Sequence, residues 1–168
     1  MQPSVLGGES IRLRTDLRPG DLGMVVYLHG VIYARERGFD PTFEAYVAGP
    51  LAEFVRAHTD RERLWIAERD GRMVGCVAIV AAAPRTAQLR WYLVVPEARG
   101  CGLGTRLLAE AVAFCRACGY DSIILWTESA LEPAARLYRK AGFRKVEERP
   151  GRVWGVELVE QKYELRLN

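Results

Sequence analysis

"PEARGCGLGTRLL", residues 96–108, sets Gly100, Gly102 and Gly104 at every second position between an apolar run and an amphipathic segment. Glycines spaced this way suit two purposes. One is a tight strand-to-helix turn whose dihedrals glycine adopts without strain. The other is close approach of backbone to an anion, with the unpaired N–H groups of a first helical turn as the binding site and phosphate as the natural occupant. The glycines alone leave both open. Two familiar phosphate loops do not fit. A P-loop ends in Gly-Lys-Ser/Thr, where this stretch has Gly104-Thr105-Arg106. The dinucleotide fingerprint G-x-G-x-x-G follows the first strand of a parallel unit, whereas G-x-G-x-G here follows four predicted strands, two of them in a hairpin.

Outward from the glycines, "TAQLRWYLVVP" (86–96) reads as a strand closed by Pro96. Gly102 to Cys118 reads as a helix with Leu107, Leu108, Ala111, Val112 and Cys115 on one side and Gly119 as its cap. "SIRLR" alternates Ile11 and Leu13 with arginines, a half-buried first strand, and the domain is expected over 10–168 with 1–9 as a tail. Two helical regions follow, Leu22 to about Arg37 and 40–58, the second interrupted at Gly49-Pro50. Residues 63–83 read as a hairpin turning at Asp70-Gly71, and "DSIILWTE" (121–128) as a central strand covered on both faces. A short helix from Pro133 to Gly142 precedes two last strands, "RKVEERP" and "LVEQKYELRLN". The order βααββ, βαβ, αββ predicts an α/β sandwich with a mixed sheet.

Composition bounds the partners. At 168 residues, 49% hydrophobic and 27% charged, the chain fits one ordinary globular domain. Its net charge of +3 comes from basic residues spread along the chain, which predicts no nucleic-acid stripe. No apolar stretch approaches the ~20 residues of a membrane span and "MQPSVLGGES" lacks a signal-peptide pattern, so a cytoplasmic protein is expected. The four cysteines suit reduced thiols, and Cys115-x-x-Cys118 has no second pair or nearby histidine to complete a zinc set, so no metal is expected.

Arg99, Gly102 and Gly104 resemble motif A of the GCN5-related N-acetyltransferases, Gln/Arg-x-x-Gly-x-Gly/Ala. Its setting is also similar, between "LRWYLVVP" and "TRLLAEAV" and with "LYRKAGF" some thirty residues on. The resemblance covers the chain from residue 10 onward. It implies the acyl-CoA N-acyltransferase fold, a mostly antiparallel sheet of about seven strands with helices on both faces, and acetyl-CoA as cofactor. It implies that Leu93, Val94 and Val95 pair with the pantetheine arm. The backbone of Arg99, Gly100, Cys101, Gly102, Leu103, Gly104 and Thr105 would cradle the pyrophosphate, with Arg106 either adding charge or solvated. It makes Tyr138 the general acid for the departing thiolate; periodicity alone would file Tyr138 as a packing residue. The first helices and last strands also resemble the acetyltransferase half of bacterial winged-helix fusion proteins, and a regulatory role would need a separate DNA-binding chain.

An amine acceptor with pKa ~10.4 must shed a proton before attack, at roughly 4 to 5 kcal/mol at pH 7. Several relatives use a glutamate eleven residues before the motif arginine; here that residue is Gln88, which cannot accept a proton. Glu128 is the expected substitute, with Glu36 and Glu44 as further candidates, and His29 reads as structural. Tyr33, Glu36, Phe39 and Trp126, with Phe43 and Trp154, are expected at the acceptor site, suiting a flat or apolar small-molecule amine. Acetylation of protein N-termini or lysines, and a non-catalytic acyl-CoA sensor, are the competing readings, and a homodimer is left open.

Overall fold

The structure, a computed structural model, describes residues 10–168, so the expected tail 1–9 lies outside the described residues. In chain order it comprises β1 (Arg12–Arg14), α1 (Asp21–Arg37), α2 (Pro41–Ala57), β2 (Arg63–Arg69), β3 (Arg72–Ala83) and β4 (Thr86–Val94). There follow a 3-10 turn at Pro96–Ala98, α3 (Leu103–Ala117), β5 (Ser122–Glu128), α4 (Glu132–Lys140), β6 (Arg144–Val153) and β7 (Val156–Arg166). One sheet takes the order β1-β2-β3-β4-β5-β7-β6, and only β4–β5 is parallel. β3 is buried without a break from Val74 to Ile79, as a strand covered on both faces must be.

Two departures from regularity open the sheet. β4 and β5 pair only at Thr86–Ser122, Ala87–Ile123 and Gln88–Ile124, beyond which they diverge. On the other side of β4 a bulge sets Trp91 and Tyr92 against the single residue Val77, and Trp91 takes φ 48° to accommodate it. The Cys76 thiol donates to the Trp91 carbonyl at 3.1 Å, so the bulge is held from the core side.

Two local expectations change. α2 runs unbroken through Pro50, because Val47, Leu51 and Phe54 are buried on either side of it and hold both halves on the core. β6 extends past Pro150 to Val153, which an edge strand tolerates since proline's missing N–H costs no ladder bond there. Its connection to β7 is Trp154-Gly155, at φ 52° and 80°, a two-residue turn with both central residues left-handed. This turn reaches across to the α1–α2 joint. The Asp40 N–H donates to the Trp154 carbonyl at 2.9 Å, and the Trp154 ring lies 5.0 Å from both Phe39 and Phe43 and 5.1 Å from Tyr46.

Candidate active site

The glycine stretch resolves into separate roles. Gly100 and Gly102 have φ 79° and 84° with open space where a Cβ would be, so backbone conformation requires them. Gly104 is required by close approach: a Cβ there would lie 3.0 Å from the Tyr92 hydroxyl and 3.3 Å from Leu137. Tyr92 donates its hydroxyl to the Gly104 carbonyl and fastens α3 to β4. Gly102 caps α3 without a side-chain hydrogen bond, and no acidic residue stands in the first turn, so the first-turn amides are left to an external anion.

Those amides open on a cavity of about 750 Å³ lined by Leu93, Val94, Arg99, Gly100, Gly102, Leu103, Gly104 and Thr105 from β4, the loop and α3. α1 closes one wall with Ile32, Tyr33, Glu36 and Arg37, and α4 another with Pro133, Ala134 and Leu137. The edge of β4 past Gln88 has no β5 partner and is free to pair with an extended ligand. An elongated molecule with an anionic end and an amide-bearing arm, as coenzyme A is, fits this donor set.

Two of the ten residues expected here are placed otherwise. Val95 is buried in the core, its N–H donating to the Val74 carbonyl, because the chain has already turned at Pro96. Cys101 is exposed, its thiol donating to the Ala98 carbonyl at 3.1 Å, and it does not line the cavity. Arg106 points away as well, donating to the Ile11 carbonyl at 2.9 Å.

A second cavity, about 340 Å³, lies on the side of α2 and the β6–β7 turn. Its walls include Tyr33, Phe39, Phe43, Tyr46, Trp126 and Trp154, together with Gln88, Arg90, Trp91, Glu128, Tyr138 and Glu160. The two cavities share Tyr33, Tyr92, Leu131 and Ala134, at the point where β4 and β5 diverge. The expected acceptor residues Tyr33, Phe39 and Trp126 therefore stand together. Glu36 does not join them: it lines the first cavity and forms a two-pronged pair with Arg99, at 2.7 and 3.1 Å, which draws it toward the glycine loop. Glu44 instead packs over Gly30, between the two helices.

Tyr138, on the buried face of α4, lines the second cavity among the rings of Tyr92, Phe143 and Tyr163 at 5.8 to 6.0 Å. Burial, reinforced by the neighbouring phenols of Tyr33, Tyr92 and Tyr163, raises its hydroxyl well above the usual value, so it holds its proton at neutral pH. Tyr33 is likewise pushed up to about 12 by burial. Glu128 is 4% exposed and both of its oxygens are taken, one by the Arg37 guanidinium and one by the Ala130 N–H at 3.1 Å. Directly across the ladder stands Glu160, a half-buried carboxylate that makes no ion pair with a described residue. Sequence reasoning missed it, since only the β5–β7 register shows which of the five glutamates from 147 to 164 on these last strands lies opposite Glu128. His29 also lines this cavity. Its Nδ1 lies 2.8 Å from the Val25 carbonyl, and burial lowers it to about 4, so the ring is neutral, with the proton on Nδ1.

Comparison with known proteins identifies the family. The family model of the GNAT acetyltransferases matches residues 28–143. An N-acetyltransferase of Schizosaccharomyces pombe is 33% identical over 150 residues, 88% of each chain. N-acetyltransferase family 8 member 3 of Rattus norvegicus is 32% identical over 89 residues, half of this chain and 39% of its own. Among solved structures, an N-acetyltransferase of Staphylococcus aureus superposes with TM-score 0.77 at 19% identity, over 95% of this chain and all of its own. An acetyltransferase of Salmonella typhimurium, solved with its cofactor acetyl-CoA, gives 0.73 at 21% identity over 95% of each chain. The chain belongs to the GNAT acetyltransferase family: it is an N-acetyltransferase that takes its acetyl group from acetyl-CoA. No helix of the described residues is long and apolar enough to cross a membrane.

Proposed function

We propose that residues 10–168 form a small-molecule amine N-acetyltransferase working by direct transfer, with both substrates held at once. The observation that carries this reading is the pair of cavities meeting at Tyr33, Tyr92, Leu131 and Ala134, which lets an amine from one side reach a thioester from the other. The size of the second cavity and its closure by the β6–β7 turn support a small molecule over a protein chain, which needs an open groove.

Bound acetyl-CoA supplies a thioester carbonyl and a thiol leaving group. Leu93 and Val94 would hold its arm through their backbone groups, and the amides of Gly102 to Thr105 its pyrophosphate. Tyr138 would give its hydroxyl proton to the departing sulfur, its raised affinity for that proton keeping it loaded until a thiolate forms. Glu128, expected as the base, borders the acceptor cavity but is held by Arg37; Glu160 opposite is the carboxylate left to receive the ammonium proton. The test is a panel of amines with acetyl-CoA, following free thiol. Amine-dependent release that falls at least 100-fold in Tyr138→Phe, with acetyl-CoA affinity retained, supports the reading. Tight acetyl-CoA binding with no amine-dependent release overturns it in favour of a sensor.

A further inference from the structure

The acceptor cavity contains a cation that the transfer chemistry does not use. Arg90 follows Gln88 by two residues on β4, so both side chains leave the same face of the strand, and both line the cavity. Its guanidinium sits 5.7 Å from the Tyr46 ring centre and 5.0 Å from that of Trp91. It makes no ion pair with a described residue, whereas the other cavity arginine, Arg149, is paired with Glu147. Glu128 is likewise taken by Arg37. Next to Arg90, the Trp91 indole N–H is buried without a partner, and Trp91 too lines the cavity. Arg90 thus stands in an aromatic pocket with no counter-ion of its own.

A half-buried guanidinium between aromatic rings is oriented, partly desolvated and lacking a counter-ion, and its planar fork matches a carboxylate. The volume is at the small end for ligand sites, about that of an amino acid with room for ordered water. Tyr92, at the junction of the cavities, lies two residues beyond Arg90 on the same strand, a rise of roughly 6 to 7 Å before the bulge shortens it. One small molecule can span that distance with an acid at one end and an amine at the other. Phe39, Phe43, Tyr46 and Trp154 offer it an apolar wall.

We propose that the acceptor is an amine carrying its own carboxylate, an amino acid with an apolar or aromatic side chain, and that Arg90 is the specificity-determining residue that pairs with that carboxylate. This rests on the small-molecule amine reading above. It also accounts for tolerance of Gln88: with the acid end fixed by Arg90, the amine is positioned without a carboxylate at that point of β4.

The test uses matched pairs that differ only in the carboxylate: phenylalanine with phenethylamine, and tryptophan with tryptamine. Thiol release by the natural sequence is expected to favour the carboxylate-bearing member by about 10- to 100-fold in kcat/KM, the range for a charge-assisted pair. In Arg90→Gln that ratio should fall to about one, and Arg90→Lys should restore part of it. A natural preference for the decarboxylated amines, or an unchanged ratio in Arg90→Gln, overturns the proposal. Acetyl-CoA affinity, which Arg90 does not touch, reports that the variant is folded. Calorimetry of N-acetylphenylalanine against N-acetylphenethylamine in the presence of coenzyme A needs no turnover. If no amine releases thiol, the enzyme reading of this site fails, while the calorimetric ratio still decides for or against Arg90.

Discussion

Gly155→Ala probes whether the β6–β7 turn closes the acceptor cavity. Gly155 sits at φ 80°, where an alanine costs about 1 to 2 kcal/mol. Its new Cβ would lie 2.8 Å from an Asp40 carboxylate oxygen, inside any real contact distance, so the carboxylate must yield. Asp40 is not free to do so at no cost: its other oxygen accepts from the Thr42 N–H at 2.9 Å and caps α2, an interaction of about 1 kcal/mol. Together these predict a loss of about 2 to 3 kcal/mol, or roughly 5 to 10 °C in Tm for a domain of this size. The cheapest relief is for the turn to lift, which takes Trp154 away from Phe39, Phe43 and Tyr46. The acceptor KM should then rise about tenfold, the scale of one lost aromatic contact. Acetyl-CoA affinity should hold, since none of these four aromatic residues lines the first cavity. Calorimetric unfolding and steady-state kinetics read both effects, with Gly151→Ala as control because nothing lies within 4 Å of a Cβ there. A variant with Tm and acceptor KM equal to those of the control would refute the closure argument.

Arg37→Met should destabilise by about 3 to 5 kcal/mol, because it leaves the buried Glu128 carboxylate unpaired; adding Glu128→Leu should recover most of the loss in urea titrations. Acid should weaken the fold through His29: its neutral form is favoured only in the folded state, so that stability is whole above pH 6.5 and falls by about 3 kcal/mol on descending to pH 4. His29→Gln should flatten this part of the pH–stability curve. At the other extreme, Tyr33, Tyr92 and Tyr138 all hold their protons more tightly folded than unfolded. Stability should therefore decline above pH ~10 by up to about 4 kcal/mol per pH unit, readable as alkaline unfolding by circular dichroism.

The cofactor side was legible because it is local: a strand, three glycines and a helix lie within about twenty consecutive residues, and the proposed contacts are made by backbone. The exceptions, Val95 and Cys101, depend on where the chain turns at Pro96, which a motif does not specify. The acceptor side was legible only in outline. Its aromatic residues could be guessed from the α1–α2 joint, but Glu160 is set opposite Glu128 by the β5–β7 register and Arg90 stands beside the Trp91 bulge, both set by tertiary packing. Glu36 was misplaced for a similar reason: its position at the joint is correct, and pairing with Arg99 turns it to the other cavity. The reading of Pro50 as a break gave proline's local cost more weight than the burial flanking it.

The three rungs joining β4 to β5 leave the sheet as two panels, β1 to β4 and β5-β7-β6, with most of their shared seam unstitched. A ligand arm laid along the open edge of β4 would bridge that seam as an extra rung does, making the substrate a structural member of the protein. Acetyl-CoA should then slow amide hydrogen exchange in β7 and β6, strands that do not line the first cavity, as well as in the glycine loop proposed to hold it.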